Sequence, residues 1–239
     1  MSELVVTILA AGEGKRMNSN IPKVLHLFHN KPMLVNVIEA SMTLQPKRII
    51  VITGKYDELI KSTLSKYINI ENIQFVIQKQ PLGTGDAIKS CLPLYNDNEK
   101  ILILNGDMPN ITKELLKKFI DRNDPFVVLV AKLANPTGYG RIVYNNNIFV
   151  EIIEEKDCTE LQRIIDIVNS GLYYIDSEIL QQYIPMITNE NKQKEYYLTD
   201  IVNLANQNMS IKTFLINENE NKYIQGVNTQ EELRLLEML

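Results

Sequence analysis

From Leu4 to Leu133 the chain alternates short apolar runs with longer stretches of helical periodicity, and few folds accept that pattern. The apolar runs are Leu4–Leu9, Arg48–Thr53, Ile73–Gln78, Ile101–Asn105 and Phe126–Leu133. Between them lie Met33–Leu44, Tyr56–Tyr67, Thr84–Leu94 and Thr112–Asp121, each with apolar residues at helical spacing. A strand that is apolar at successive positions has no face to offer water, so both of its faces must be covered. Helices inserted between such strands supply the cover, which predicts βαβ units and a mostly parallel sheet. The fold class is therefore α/β, with a doubly wound core over residues 1–133. Pro32 falls at the start of the first helix, where its missing N–H costs nothing. Thr112, with Leu115 and Leu116 behind it, reads as a capped helix start.

The second half is more mixed. Gly140–Tyr144 and Ile148–Glu154 read as a hairpin across Asn145–Asn147. Ile167–Ile175 and Ile211–Ile216 read as strands, and Ser177–Ile187, Leu198–Gln207 and Gln230–Leu239 as helices. The Asn-rich stretch Asn217–Asn221 reads as a surface loop. No Pro/Gly/Ser linker and no fixed-period repeat divides the 239 residues, a length that buries one sizeable core. A single domain, 1–239, is expected, made of the core (1–133), a mixed part (134–228) and a terminal helix (229–239).

Charge narrows the function. The net charge of -4 argues against a nucleic-acid binder, which would show a basic face, although a local basic pocket for a phosphate is compatible with it. No apolar run reaches the roughly 18 residues of a membrane span. The N-terminus reads directly as a strand, without a basic segment and cleavage site. Cys91 and Cys158 are far apart and form no C-x-x-C. Cys91 lies four residues after Ala87 on a helix face, the position of a small buried apolar residue. A reducing cytoplasm fits these features.

Just past the first strand comes "LAAGEGKRM" (9–17), then "PKVLH" (22–26). Glycines let backbone N–H groups approach phosphate oxygens, and Lys15, Arg16 and Lys23 supply positive charge. The Walker A pattern G-x-x-x-x-G-K-[ST] is absent. Gly12-x-Gly14 opens like a dinucleotide fingerprint, but the third glycine is replaced by Met17. A phosphate loop and a plain βα turn with solvated cations both remain open on these residues alone.

The wider pattern is more specific. The opening loop resembles L-A-A-G-x-G-T-R-M…P-K, the signature of the sugar-1-phosphate nucleotidylyltransferases. Further blocks resemble the same family in order along the whole chain. They are "QPLGTGDA" (80–87), "NGD" (105–107), "NPTGYGRIV" (135–143), "VEIIEEKDC" (150–158), "NSGLY" (169–173), "EYYLTDIV" (195–202) and "GVNT" (226–229). Within the family the chain most resembles the uridylyltransferase half of bacterial bifunctional N-acetylglucosamine-1-phosphate uridylyltransferases.

That resemblance implies a Rossmann-like nucleotidyltransferase fold, with nucleotide binding in 1–133 and sugar binding in 134–228. It implies catalytic roles for Arg16 and Lys23. Lys15 stands where the family has a small residue or Thr and receives no role. Leu9, Ala10, Ala11, Gly12, Asn105 and Gly106 would surround the nucleotide, with Gln78, Gly83 and Thr84 reading uracil. Thr84 also fits a helix N-cap. Gln78 carries both a donor and an acceptor for a pyrimidine edge.

Asp107 ends the apolar run "ILILNGD", at the carboxyl end of a strand where ligands of open α/β sheets bind. A D-x-D pair is broken by Asn105, so a second ligand for Mg²⁺ must come from elsewhere. The resemblance supplies Asn228. Gly140, Glu154 and Asn169 would contact the amino-sugar phosphate, while Glu195 and Tyr197 would border the same pocket and receive no role. Glu154, beside Glu151 and Glu155, also fits a solvated charged strand.

The expected reaction is transfer of uridylyl from UTP to N-acetylglucosamine 1-phosphate, releasing pyrophosphate. Alternatives are another sugar 1-phosphate, such as glucose 1-phosphate with UTP or dTTP, and a non-catalytic regulator that binds a nucleotide sugar. Neither His26 nor His29 has partners for nucleophilic catalysis. No hexapeptide period of an acetyltransferase β-helix occurs, so a monofunctional enzyme is expected, as a monomer or weak dimer. Leu233, Leu236 and Leu239, at helical spacing, are expected to cover the domain's own core.

Overall fold

The computed structural model of the protein describes residues 2–239, with the Lys15 side chain outside the description. The strands are β1 (Glu3–Leu9), β2 (Leu27–Phe28), β3 (Lys31–Pro32), β4 (Arg48–Thr53), β5 (Ile73–Ile77), β6 (Glu99–Asn105), β7 (Phe126–Lys132), β8 (Arg141–Asn145), β9 (Ile148–Ile153), β10 (Ile167–Asp176) and β11 (Lys212–Leu215). The helices are α1 (Met33–Met42), α2 (Asp57–Leu64), α3 (Thr84–Lys89), α4 (Lys113–Ile120), α5 (Glu160–Arg163), α6 (Ser177–Tyr183), α7 (Thr199–Asn206) and α8 (Gln230–Glu237).

Among the described residues, nine strands join in one sheet in the order β11-β7-β10-β6-β1-β4-β5, with the β8–β9 hairpin attached to β10. The pairs β1–β4, β1–β6, β4–β5 and β7–β11 are parallel. β10 runs antiparallel to both β6 and β7. The α/β class and the mostly parallel sheet agree with the sequence reading. The departure is that β6 and β7, consecutive strands of the expected core, are not neighbours. β10 lies between them, and most of its positions are buried, as a central strand requires.

Successive strand residues point to opposite faces. Val6, Ile49, Val51, Leu102, Leu104, Val127 and Leu129 pack on one side with residues of α1, α2 and α4. Val5, Ile50, Ile52, Ile101, Ile103, Phe126 and Val128 pack on the other with α3, α6 and α7. Each fully buried aliphatic side chain contributes about 1.5–3 kcal/mol. A third, smaller cluster joins Met17, Phe28, Met33, Val227, Leu233 and Leu236. The terminal helix α8 thus covers the protein's own core, as expected, through Leu233 and Leu236. Leu239 does not take part: α8 ends at Glu237, and Leu239 is exposed.

Several helices are shorter than their periodicity suggests. α3 and α6 stop before Pro93 and Pro185, and each is followed by a single 3-10 turn. A proline ring clashes with the preceding helical carbonyl, which ends the α-helix. Thr112 does cap α4, its side chain accepting from Leu115 N. The Asn217–Asn221 stretch is no loose loop. Glu218–Tyr223 forms a 3-10 helix opened by an Asn217–Glu220 capping box, and Asn221 Nδ2 donates to Lys132 O at 2.7 Å. Asn favours caps and short turns because its side chain substitutes for backbone partners.

The chain leaves β1 for β4 and β5 on one side, then returns to the other side as β6. Such a switch point leaves a crevice at the carboxyl ends of the two central strands. There Leu9 and Asn105 are register partners, and Gly106 N donates to Leu9 O at 2.9 Å. No helix among the described residues is long and apolar enough to cross a membrane.

Candidate active site

The loop after β1 is shaped by one close approach. Gly14 adopts φ +65°, and a Cβ there would lie 2.4 Å from Lys23 Cβ. Only glycine allows the loop to fold over Lys23. Met17, which occupies the place of a third fingerprint glycine, is 1% exposed within the small third core. The residue that spoils the dinucleotide motif is an anchor for the loop.

Four residues from distant parts of the chain meet at the crevice. The Lys23 ammonium is bound to the Asp107 carboxylate and also donates to Asn228 Oδ1 at 3.1 Å. Arg16 Nη2 donates to the same Asn228 oxygen at 3.0 Å. Asn228 N in turn donates to Glu232 Oε2 at 2.6 Å, and Val227 N donates to Asp107 O at 3.0 Å. Arg16, Lys23, Asp107 and Asn228 therefore form one connected cluster. Among the described residues no group of three or more His, Cys, Asp or Glu side chains could hold a metal unaided. Asp107 and Asn228 together offer two hard oxygen donors.

Two cavities flank the cluster. The smaller, about 290 Å³, is lined by Leu9, Ala10, Ala11, Gly12, Lys23, Gln78, Gly83, Thr84, Asn105 and Asp107. The larger, about 990 Å³, is lined by Leu9, Arg16, Asn105, Asp107, Gly140, Glu154, Asn169 and Asn228. Leu9, Thr84, Asn105 and Asp107 border both. The residues expected at the nucleotide line the small cavity except Gly106, which underlies it through its bond to Leu9. Those expected at the sugar line the large one. Glu195, given no role from sequence, also lines the small cavity.

The "LGTG" turn forms the floor of the small cavity. Gly83 has φ +116°, and a Cβ there would fall 2.4 Å from Tyr196 O, so glycine is required. Leu82 O accepts from Tyr196 N at 2.7 Å, and Gly85 N donates to Tyr196 O at 2.8 Å. Thr84 is not the expected N-cap. Gly83 occupies that position, and Thr84 Oγ1 instead accepts from Leu198 N at 3.0 Å, at the start of α7. The turn thus ties the first half of the chain to the "EYYLTDIV" block.

In the large cavity, Glu154 is half-buried rather than solvated, which corrects the charged-strand reading. Burial pushes its carboxyl upward, as do the charges of Asp157 and Glu195, while Thr199 Oγ1, donating at 2.8 Å, opposes the rise. Asn169 is aimed by a β-bulge in β10 between Asn169 and Tyr173. Its Nδ2 donates to Tyr173 Oη at 2.7 Å, its Oδ1 accepts from Gly171 N at 3.0 Å, and its N donates to Gly140 O at 2.8 Å.

Sequence reasoning missed the supports of this loop. Arg141, 1% exposed, pairs with Glu155 at 2.7 Å and donates to Tyr139 O, and Glu155 Oε2 accepts from Gly138 N at 3.1 Å. Arg141 stands in "NPTGYGRIV", but nothing local distinguishes a buried guanidinium from a solvated one. Thr199 and Glu232 were missed for the same reason: their partners are remote in sequence or lie across a turn.

Comparison with known proteins bears on this geometry. The nucleotidyl transferase family profile matches residues 5–220. The probable UDP-N-acetylglucosamine pyrophosphorylase of Acanthamoeba polyphaga mimivirus is 45% identical over 243 residues, covering 98% of this chain and 95% of that protein. The bifunctional protein GlmU of a Nitratiruptor species is 41% identical, covering 98% of this chain. That of Francisella tularensis subsp. novicida is 44% identical, again over 98% of this chain. The chain spans about half the length of these bifunctional relatives, 53% and 51% respectively. A solved UDP-glucose pyrophosphorylase complexed with UDP-glucose aligns over 100% of this chain and 98% of its own, with a TM-score of 0.75 and 18% identity. A putative glucose-1-phosphate thymidylyltransferase from Bacillus anthracis aligns over 98% and 94%, with a TM-score of 0.73 and 18% identity. These two likenesses establish the shared fold. With the switch-point crevice, the loop cations and the profile match in agreement, the chain belongs to the nucleotidyl transferase family.

Proposed function

We propose that this chain is a UDP-N-acetylglucosamine pyrophosphorylase: it transfers uridylyl from UTP to N-acetylglucosamine 1-phosphate and releases pyrophosphate. The observation that carries this reading is the cluster of Arg16, Lys23, Asp107 and Asn228 between a small and a large cavity. The relative named for this reaction, at 45% identity, supports the choice of sugar and nucleotide.

The reaction needs no side-chain nucleophile. An oxygen of the sugar phosphate attacks the α-phosphorus of UTP, an O–P bond forms, and the bond to the bridging oxygen of pyrophosphate breaks. Both reactants are anions, so positioning and charge neutralisation carry the catalysis. The base would occupy the small cavity beside Gln78 and Gly83. A side chain at Gly12 would meet nothing within 4 Å. The fold itself leaves that position open, which suits close approach of a phosphate to the backbone. Arg16 and Lys23 would stabilise charge growing on the transferred phosphoryl and the leaving pyrophosphate. Glu154 and Asn169 would hold the sugar in the large cavity.

Asp107 and Asn228 suit Mg²⁺, because their oxygens already gather around one positive charge, the Lys23 ammonium. A hard ion with two protein oxygens completes its shell with water and phosphate. When bound, Mg²⁺ would screen the repulsion between the two phosphates. Cys91 and Cys158 are both free and buried, which suits a reducing cytoplasm. A monomer or weak dimer remains our reading of its assembly.

Pyrophosphate release, measured with a panel of sugar phosphates and nucleotides, tests the reading. Fastest turnover is expected with UTP and N-acetylglucosamine 1-phosphate. Preference for glucose 1-phosphate would reassign the sugar, and no turnover with any pair would remove the enzymatic reading.

A further inference from the structure

Gln78 is 6% exposed and its backbone N–H donates to Thr53 O at 2.7 Å, so the side chain leaves a fixed root. Its Nε2 donates to Gly83 O at 3.0 Å and to Asp86 Oδ2 at 2.8 Å. A peptide carbonyl and a carboxylate can only accept, so the amide must turn its NH₂ toward both. That fixes which way round the amide sits. The amide oxygen is left on the opposite side of a side chain that lines the small cavity, and among the described residues it receives no hydrogen bond.

An amide oxygen is an acceptor only. Uracil offers a donor, N3–H, on its pairing edge. Cytosine offers an acceptor at the same ring position, and two facing acceptors leave both unsatisfied. We propose that Asp86 is a positioning residue for base selection: by accepting the Gln78 amide NH₂ it presents the amide oxygen to the base, favouring uracil over cytosine. This rests on reading the small cavity as the base site of a nucleotidyl transferase. Asp86 also stands in the first turn of α3, where a carboxylate favours the helix dipole. A dipole role alone would not require its Oδ2 to hold Gln78, and it would not discriminate between bases.

Gly83 O keeps one of the two constraints when Asp86 is changed, so the expected loss is partial. In Asp86→Ala and in Asp86→Leu, neither of which offers Gln78 a side-chain acceptor, the ratio of kcat/KM for UTP over CTP should fall about five- to tenfold, the worth of one hydrogen bond. The ratio of dissociation constants for the two nucleotides, measured without the sugar phosphate, should fall by the same factor. Melting temperature and circular dichroism identify a folded variant, and Asp86→Leu, which keeps the branched shape without an acceptor, decides if the alanine variant does not fold. Unchanged ratios in a folded variant would overturn the role of Asp86. A wild-type protein that releases no pyrophosphate would sink the functional reading, and the affinity ratios would still decide the positioning role.

Discussion

Arg16 Nη2 donates to Asn228 Oδ1 at 3.0 Å across 212 positions of sequence. The same oxygen accepts from Lys23 at 3.1 Å, so one amide carbonyl gathers two cations of the loop, Arg16 and Lys23. What holds Asn228 there is the small third core. Met17 beside Arg16, and Val227 beside Asn228, are both buried in it, with Leu233 and Leu236 of α8. Gln230 Nε2 donates to Met17 O at 3.0 Å, a direct strut between helix and loop. The opening loop and the terminal helix behave as one unit.

Truncating that core should therefore damage the site before it unfolds the protein. Leu236 is 1% exposed. Leu236→Ala should cost about 2–5 kcal/mol, from lost transfer energy and a residual cavity. At about 2–4 °C per kcal/mol for a domain of this size, the melting temperature should fall visibly. Activity at 25 °C, where the variant remains folded by circular dichroism, should fall as well. Full activity per folded molecule would show that α8 stabilises without positioning Asn228.

Lys23 touches both oxygen donors of the cluster and lines the small cavity. If it stabilises charge in the transition state, Lys23→Ala should lower kcat by roughly 10²–10³, with a smaller change in UTP affinity. Single-turnover measurement separates the two quantities. A kcat equal to wild type would remove Lys23 from catalysis.

The strands could be read because their signal is local. Leu102, Ile103 and Leu104 are apolar in succession and each is fully buried, as a two-sided central strand demands. The position of β10 was hidden because strand pairing is a long-range choice that the composition of "IVNSGLYYID" does not encode. Thr84 shows the same limit at one side chain. Threonine at a helix start ordinarily caps that helix, but here its hydroxyl accepts from the backbone N–H of residue 198 instead. The cluster residues Arg16, Lys23, Asp107 and Asn228 were picked out by family resemblance. Their meeting depends on the switch point, which the βαβ alternation does foretell. Arg141 was missed because burial of a charge is decided by its partners, and Glu155 and Tyr139 O become partners only once the hairpin forms.

Asp107 supplies the only formal negative charge among the two proposed metal oxygens. Asp107→Asn keeps the shape and removes that charge. The Mg²⁺ concentration giving half-maximal pyrophosphate release should therefore rise, by an order of magnitude or more, with the profile shifted rather than merely lowered. A Mg²⁺ titration at saturating UTP and sugar phosphate checks this. A midpoint identical to wild type would show that Asp107 is not a ligand.

Asp200, in the first turn of α7, carries a pH signature. Burial raises its carboxyl from 3.8 to about 6, and the nearby Glu154 and Asp157 charges push in the same direction. The folded protein thus holds this proton more tightly than the unfolded chain. The stability this proton supplies is fully present below 3.8 and is lost as pH climbs through about 6. Asp200→Asn is neutral at every pH and escapes that loss. Wild type and variant should melt within about a degree of each other near pH 4. Above pH 7 the variant should be the more stable, by ~1 kcal/mol once solvent screening of a half-exposed group is allowed for, or about 2–4 °C. The neighbouring carboxyls are the same in both proteins, so the difference between the two melting curves isolates Asp200. Differential scanning calorimetry from pH 4 to 8 measures it, and a gap that does not widen with pH would show that the carboxyl ionises in the folded protein as it does in the unfolded chain.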